Sequence, residues 1–326
     1  MKKYNIAILG ATGLVGQTFL KVLAEYNIPI NELRLFASPR SLGKKILFKD
    51  KEYLVDVVKE GSFRGIDYAL FSAGASVSKI VALQATKEGA IVIDNSSAFR
   101  QDVTIPLVVP EVNLADALNV SLIANPNCST IQSVLPLSAL DKAYGVLEVR
   151  YNTYQAVSGS GYKGIEALEK STDFYPYDIK ETCIPQIDDF LEDGFTKEEH
   201  KMVNETRRIL HKEDLKVSAT CIRVPVKYSH GVSISAKLNK EFDLTDLRKV
   251  LANFEGIVVL DEPTKQIYPT SIASTGNDMV YVGRIRRDLI DKFTVLLYCV
   301  ADNVRKGAAS NAVQILKGLI DHAKSC

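Results

Sequence analysis

The sequence predicts an α/β protein, a Rossmann-like parallel-sheet nucleotide domain joined to a second, mixed α+β domain. Two observations carry this. Apolar strand-like runs alternate with helical patterns through the first 125 or so residues, and the rhythm changes after Tyr144-Gly145 to long strand candidates with helices between them. In order, the first half reads as YNIAILG (strand), LVGQTFLKVLAEY (helix), ELRLFAS (strand), DYALFSA (strand), VSKIVALQATKEG (helix), then AIVID and VSLIANP (strands). Such alternation builds βαβ units, whose sheet is covered on both faces. CSTIQSVLPLSAL then reads as a helix. The second half offers VLEVRYNTYQAV, VSATCIRVPV, GVSISAKL and FTVLLYCVA as strands, with KEEHKMVNETRRIL a helix among them, and VRKGAASNAVQILKGLIDHA is a closing helix by its apolar spacing. No repeat, low-complexity tract or long Gly/Ser linker interrupts the chain.

Composition narrows the function classes. The 326 residues carry 40 Lys plus Arg against 39 Asp plus Glu, so no net field draws the protein to nucleic acid or to an anionic membrane. The N-terminal MKKYNIAILGATG reaches glycine too soon for a signal peptide, and nothing approaches the ~18 apolar residues of a membrane span. The five cysteines (128, 183, 221, 299 and 326) are odd in number and scattered, with no CxxC pair and no histidine at ligand spacing. Neither a disulfide framework nor a metal site is expected, and the thiols suggest a cytoplasmic protein.

The first chemical signal is GATGLVG, with Gly10, Gly13 and Gly16 directly after a strand and before a helix. Glycine there allows a tight turn and lets a pyrophosphate approach the amides of a helix N-terminus. The spacing is GxxGxxG rather than the commoner GxGxxG. The second strand ends in Ser38, Arg40 and Ser41, followed by Lys44 and Lys45, where an NAD enzyme usually places an acid to hold the ribose 2′-OH. Arginine with hydroxyls suits a 2′-phosphate, so the cofactor expected is NADP.

Cys128 follows the last strand of the nucleotide domain and opens a helix. The positive end of a helix dipole favours the thiolate, which is the nucleophile. A thiol nucleophile beside a nicotinamide fits interconversion of an aldehyde and an acyl derivative through a thioester. Cys183, Cys221 and Cys299 lie in or near apolar strand-like runs and are expected to be buried small hydrophobes.

GATGLVGQ, LFASPRSLGKK, DNSSAFRQD, PLVVPEVN, NPNCSTIQ, TYQAVSGSG, PQIDDF, RVPVKYSHG, QIYP, VGRIRRD and ADNVRKGAASNAVQI fall in order along the chain, and together they resemble the aspartate-β-semialdehyde dehydrogenase family in its bacterial form. The resemblance implies NADPH-dependent reduction of β-aspartyl phosphate to aspartate semialdehyde, with release of phosphate, on the route to lysine, threonine and methionine. It implies Cys128 as nucleophile, His230 as an acid/base group with a pKa near working pH, and Gln155 as an active-site amide orienting the substrate. Arg223 would grip the α-carboxylate, Arg100 and Lys201 the phosphate, Glu198 the amino group, and Asn127 is grouped with them. Glu198 and Lys201 are three apart on a helix and share a face. For the cofactor the resemblance adds Thr12, Leu14, Val15, Ser72, Gly74, Ser158, Gly159 and Asn303 to Gly10, Gly13, Ser38, Arg40 and Ser41. It assigns 1–127 with 302–326 to NADP binding and 128–301 to catalysis and pairing, as a homodimer or tetramer.

The chain departs from the family in KET before the IPQID run, in the order of SHG, and in a shortened region after SGSGYKG. The sequence leaves three other readings to set beside this one. N-acetyl-γ-glutamyl-phosphate reductase shares the thioester logic but differs around its cysteine and substrate arginine. An NADP-binding regulator would not need Cys128, Gln155 and His230, and a cysteine hydrolase leaves the glycine turn and Arg40 unused.

Overall fold

The computed structural model describes residues 2–325; Met1 and Cys326, the last of the five cysteines, lie outside the described residues. In chain order the elements begin with β1 (Tyr4–Leu9), α1 (Leu14–Glu25), β2 (Ile30–Phe36), β3 (Lys45–Phe48), β4 (Lys51–Asp56), β5 (Tyr68–Phe71), α2 (Ala75–Lys87), β6 (Ile91–Asp94), α3 (Pro110–Asn113) and β7 (Leu122–Ala124). Then follow α4 (Cys128–Tyr144), β8 (Val146–Gln155), α5 (Gly161–Lys170), α6 (Lys197–Ile209), β9 (Lys216–Arg223), β10 (His230–Leu238) and α7 (Leu244–Ala252). The chain closes with β11 (Ile257–Val259), α8 (Ser271–Ser274), β12 (Val280–Arg287), β13 (Thr294–Ala301) and α9 (Ser310–Ser325). They form two compact units, one running to Pro126 and resuming at Ala308, the other Asn127–Gly307.

The first unit is a seven-stranded sheet of order β3-β4-β2-β1-β5-β6-β7, parallel except for the β3–β4 pair. Its interior strands are apolar without alternation, as a sheet covered on both faces requires. Phe19 and Leu23 of α1 and Val313 and Leu316 of α9 pack into one core with Ile6 and Ile8. The antiparallel β3–β4 hairpin was not anticipated from the sequence. Its turn is Lys49-Asp50, both at positive φ (47° and 63°), a mirror-image turn that matches strand twist but carries no glycine to announce it.

The second unit is a mixed six-stranded sheet of order β11-β12-β13-β10-β8-β9, with α4, α6 and α7 packed against it. Here the strands do alternate. In β8, Val149, Tyr151, Thr153 and Gln155 are buried while Arg150, Asn152 and Tyr154 are exposed. Two strands, β11 and β12, were missed in the sequence: one is very short, and the other is charged at its end, VGRIRR, where apolar contrast fades. The closing helix starts at Ser310 rather than Val304, because Arg305–Ala309 form a π-helical turn. Asp302 accepts the N–H groups of Val304 and Arg305 (2.9 and 3.1 Å), and Asn303 accepts from Ser158 and Ser229. These bonds hold 302–307 in the second unit, beyond the residue 302 at which the sequence reading returned the chain to the first. Among the described residues no helix is long and apolar enough to cross a membrane.

Candidate active site

Side chains on a strand alternate between faces, so residue parity decides who meets whom. Gln155 ends β8, Arg223 ends β9 in register with it, and His230 begins β10 on the other side of β8. All three have the parity of the buried rows, so they turn to the helical face at one end of three adjacent strands. Helix α4 crosses that face; Gln132, one turn into it, donates to the His230 carbonyl at 3.0 Å.

Cys128 is the first residue of α4 and is half-buried, while Ser129–Leu140 behind it are buried on every side. Asn127 caps the helix, its Oδ1 accepting from the Ser129 and Thr130 amides at 2.9 and 3.2 Å. The Asn127 amide N–H donates to buried Glu205 at 2.7 Å, and its side-chain Nδ2 to Glu198 Oε1 at 2.8 Å. The cap is therefore clamped from α6 through both backbone and side chain. Pro136 within α4 has no N–H and leaves the Gln132 carbonyl without its helical donor; the Cys299 thiol supplies one at 3.8 Å. Gly307 presses on the nucleophile from the other side: a Cβ there would stand 2.9 Å from the Cys128 Cβ.

Glu198 organises the polar cluster. Its Oε1 accepts from Asn127 and from Gln155 (3.1 Å), and its Oε2 from Lys201 (3.1 Å). Burial alone would raise its pKa, but the Lys201 charge and the three donors outweigh it and hold the carboxyl below its ordinary value. Lys201 also reaches Asp188 at 2.7 Å, and despite burial the two carboxylates raise its pKa. Gln155 is oriented from its other end by Thr153, whose hydroxyl donates to Oε1 at 2.9 Å. The capping box of Thr196 and Glu199 starts α6, and Glu199 also accepts the Cys221 amide.

His230 is fully buried, and its Nδ1 accepts the Ala156 N–H at 2.9 Å. Its Nε2 has no hydrogen-bond partner among the described residues. Burial first, and the Arg223 charge second, hold the ring well below the ordinary histidine value of 6.5. This corrects the expectation of a pKa near working pH: the ring lies in an enclosed position beside a cation. Arg223 donates from Nη1 to the Ala156 carbonyl at 2.8 Å. Gly159 leaves room for both, since a Cβ there would lie 2.9 Å from Arg223 Nη1 and 3.3 Å from His230 Nε2. Ser158 and Ser229 meet at Asn303 Oδ1 (3.1 and 2.9 Å), and Ser229 itself is left-handed at φ 71° just before His230.

In the first unit the glycine turn is built for close approach. Gly10 has φ 85°, and a Cβ on it would stand 2.1 Å from the Ser72 carbonyl oxygen; one on Gly16 would meet the Gly10 oxygen at 2.1 Å. No side chain caps α1 at Gly13 or α2 at Gly74, so the amides of Leu14 and Val15 open onto the turn without a competing cap. Thr12 Oγ1 lies 3.3 Å from Ser41 Oγ, which brings the turn to the end of β2, where Ser38 and Arg40 are exposed. A dinucleotide carrying a 2′-phosphate fits this donor set. Arg100 also belongs to this unit, its Nε and Nη2 donating to the carbonyls of Asn125 (2.9 Å) and Asn95 (2.6 Å).

Of the remaining cysteines, Cys221 and Cys299 are buried, and burial raises the Cys299 thiol to about 12 and Cys221 further still. Cys183 is exposed, against expectation. Its neighbour Ile184 takes the inward position by pairing with Arg223, and alternation turns Cys183 outward. Sequence reasoning also missed Asp188, Glu205 and the Ala156 amide. Asp188 sits inside the quoted PQIDDF, but backbone donors and buried acids leave no pattern of their own.

Two family models match the chain: semialdehyde dehydrogenase, NAD binding domain, over residues 5–120, and semialdehyde dehydrogenase, dimerisation domain, over residues 137–306. The aspartate-semialdehyde dehydrogenase of Aquifex aeolicus (strain VF5) is 51% identical over 333 residues, covering 97% of this chain and 98% of that protein. Among solved structures, aspartate semialdehyde dehydrogenase II of Vibrio cholerae complexed with ASA matches at TM-score 0.95 and 42% identity, over 98% of this chain and 99% of that one. The Candida albicans enzyme with NADP matches at TM-score 0.79 and 26% identity, over 98% and 99%.

Proposed function

This chain belongs to the aspartate-semialdehyde dehydrogenase family, and from that premise we infer that it reduces β-aspartyl phosphate to aspartate semialdehyde through a thioester on Cys128, with NADP as cofactor. The observation that carries the residue assignment is the clamped nucleophile: Cys128 at the head of a buried helix whose cap, Asn127, shares Glu198 with Gln155 and Lys201.

The Cys128 thiolate, favoured by the helix N-terminus, attacks the acyl carbon, and the electron pair of the C–O bond leaves with phosphate. Lys201 is the cation assigned to the phosphate, and the family resemblance gives Arg100 the same role; each is suited to an oxyanion. Arg223 holds the α-carboxylate with its planar fork. Glu198 faces the ammonium group, its charge kept by Lys201 and three hydrogen bonds. Gln155, set between Thr153 and Glu198, orients the acyl group without adding a buried charge. His230 supplies a hydrogen bond or proton to the acyl oxygen. When bound, NADPH supplies the hydride that reduces the acyl carbon.

We assign the cofactor to the first unit, through the turn at Gly10, Thr12 and Gly13, the helix-start residues Leu14 and Val15, Ser38, Arg40 and Ser41, and Ser72 with Gly74. Ser158, Gly159 and Asn303 are carried over as cofactor residues by the family resemblance alone. Catalysis and subunit pairing fall to the second unit, whose sheet presents Tyr154, Ser233, Arg286 and Tyr298 on the side away from α4, a surface suited to a second copy. The protein is thus a homodimer or a tetramer built from dimers, working in the cytoplasm, where a catalytic thiol stays reduced. A monomer-only sedimentation profile at micromolar concentration refutes the pairing. The activity is tested by phosphate-dependent reduction of NADP with aspartate semialdehyde, beside Cys128→Ala. Turnover by the wild type and silence of the variant are expected; a silent wild type that still binds NADPH would reject the substrate.

A further inference from the structure

Lys201, the cation assigned to phosphate, is already committed in the resting site. Its Nζ donates to Glu198 Oε2 at 3.1 Å and to Asp188 Oδ2 at 2.7 Å. Burial works against the charge of Lys201 and of Asp188, but ion pairing outweighs it. The Lys201 value is raised, and the Asp188 carboxyl is held below its ordinary range. The cluster is therefore one cation held between two carboxylates. A phosphate approaching Lys201 meets a net negative charge, and repulsion between like charges a few ångströms apart is strong in a partly buried site. One carboxylate has to leave the Lys201 ammonium before an oxyanion can take its place.

The contacts of the two acids decide which one yields. The Glu198 side chain is 6% exposed, and Asn127 and Gln155 both donate to its other oxygen. The Asp188 side chain is 33% exposed. Its other oxygen accepts the N–H of the next residue, Asp189, at 3.0 Å, a local bond that moves with the loop. Buried Ile187 anchors the chain just before it, and Asp188 itself takes φ 68°, a left-handed conformation disfavoured for a residue with a Cβ. The segment that follows is tied to the start of α6, where Lys197 donates to Asp189 and His200 bonds Asp193, each at 2.7 Å. These ties keep the loop in place when Asp188 lets go of Lys201.

We propose that Asp188 is a built-in stand-in for phosphate: its carboxylate holds Lys201 while the site is empty, is displaced by the arriving phosphate oxyanion, and returns as phosphate leaves. Asp188 touches no reacting atom. It is a positioning residue that acts through Lys201 and sets the affinity for phosphate, while Glu198 keeps the Lys201 ammonium in place. This rests on the assignment of Lys201 to phosphate above and deepens it. No covalent bond changes in the exchange; one oxyanion replaces another on the same ammonium, and the displaced carboxylate is hydrated at its exposed side. The arrangement keeps a largely buried cation paired throughout the cycle, since a buried charge without a partner is costly. Its consequence is weaker binding of phosphate and easier release of it.

Asp188→Asn removes the charge while keeping a residue tolerant of left-handed backbone and an acceptor for the Asp189 N–H. In phosphate-dependent reduction of NADP with aspartate semialdehyde, its KM for inorganic phosphate is expected to fall roughly 3- to 10-fold, between the weight of an exposed ion pair and that of a charged hydrogen bond. Its kcat should stay within about threefold of wild type, and its KM for aspartate semialdehyde within about twofold. An unchanged phosphate KM overturns the proposal, and so does a higher one, which would mean that Asp188 holds Lys201 ready for phosphate. Asp193→Asn takes the same charge from the same loop away from Lys201 and should leave the phosphate KM within about twofold. An equal fall there would assign the effect to the net charge of the loop and reject the exchange. Calorimetric titration with inorganic phosphate alone needs no turnover. Asp188→Asn is expected to bind phosphate roughly 3- to 10-fold more tightly than wild type. Tighter binding that persists when both proteins also carry Lys201→Met overturns the proposal, as does absence of phosphate binding to both proteins. If the wild type is silent on aspartate semialdehyde, the substrate reading fails, and the titration still decides whether Asp188 and phosphate compete for Lys201.

Discussion

Replacing Gly307 by alanine is expected to disable the nucleophile without touching any group that binds substrate. The added Cβ would lie 2.9 Å from the Cys128 Cβ, 3.3 Å from the Cys128 Cα and 3.5 Å from the Asp302 carbonyl oxygen. Optimal carbon–carbon separation is about 3.5–4.0 Å, so the closest contact is short by roughly 0.6 to 1.1 Å. Neither partner gives easily. The Cys128 Cβ and Cα belong to the first turn of a helix buried all round, whose cap is held by Glu205 and Glu198, and the Gly307 amide is bonded to the Asp302 carbonyl at 2.9 Å. Overpacking of this kind costs about 1–3 kcal/mol, read as a fall in Tm of about 2–4 °C per kcal/mol for a domain of this size. The catalytic cost is larger, because displacing a reacting atom by about 1 Å lowers rate on the order of 10²-fold. The assay is steady-state kcat and KM for aspartate semialdehyde beside thermal unfolding of the same preparation. The expected pattern is a kcat lowered by about two orders of magnitude, with KM within a fewfold, since Arg223 and Glu198 are untouched. A variant with kcat within about threefold of wild type and unchanged Tm would refute the argument that Gly307 sets the position of Cys128.

Three further outcomes follow from the same geometry. The unfolded chain protonates His230 below about pH 6.5 while the folded ring, depressed by burial and Arg223, does not. The unfolded state then binds more protons, so stability falls as pH drops below 6.5, at a limiting slope of about 1.4 kcal/mol per pH unit; denaturant titrations from pH 7 to pH 5 should show a shallower decline in His230→Gln, and identical slopes would contradict the burial. Arg40→Glu places an acid where a 2′-phosphate would sit and should lower the ratio of kcat/KM for NADP over NAD by roughly 10- to 100-fold, the weight of one charged hydrogen bond; an unchanged ratio removes Arg40 from the cofactor site. Gly10→Ala combines a φ of 85° with a Cβ 2.1 Å from the Ser72 oxygen, a backbone atom that cannot step aside. Its expected cost is at least about 3 kcal/mol of unfolding free energy with loss of NADPH binding, and a stable, cofactor-binding variant would show that the turn is looser than its contacts imply.

Much of the fold was legible because it rests on local signals. The uninterrupted apolar runs of β1 and β5 mark a sheet covered on both faces, and the alternation of β8 marks one covered on a single face; both follow from the two-residue period of a strand. Glycines directly after a strand announced the turn at Gly10, since only a residue without Cβ fits against Ser72. The β3–β4 hairpin stayed hidden for the opposite reason, its left-handed turn being made by lysine and aspartate. Cys183 was misjudged because one residue of register separates an inward side chain from an outward one, and that register was set by Ile184 pairing with Arg223 across the chain.

By itself, then, the sequence determined the kind of chemistry: a thiol at a helix start, a glycine turn after a strand, an arginine in place of an acid, and a family whose motifs run end to end. Tertiary structure decided how those groups are set. Which nitrogen of His230 bears its proton depends on the Ala156 amide, and that amide reaches the ring because β8 lies beside β10. The charge of Glu198 depends on Lys201 in the next helical turn, and on Asn127 and Gln155 from two other elements. Burial, charge neighbours and hydrogen-bond direction are properties of position in space, and residues 74 apart in the chain, as Ala156 and His230 are, acquire them only when the sheet has brought them together.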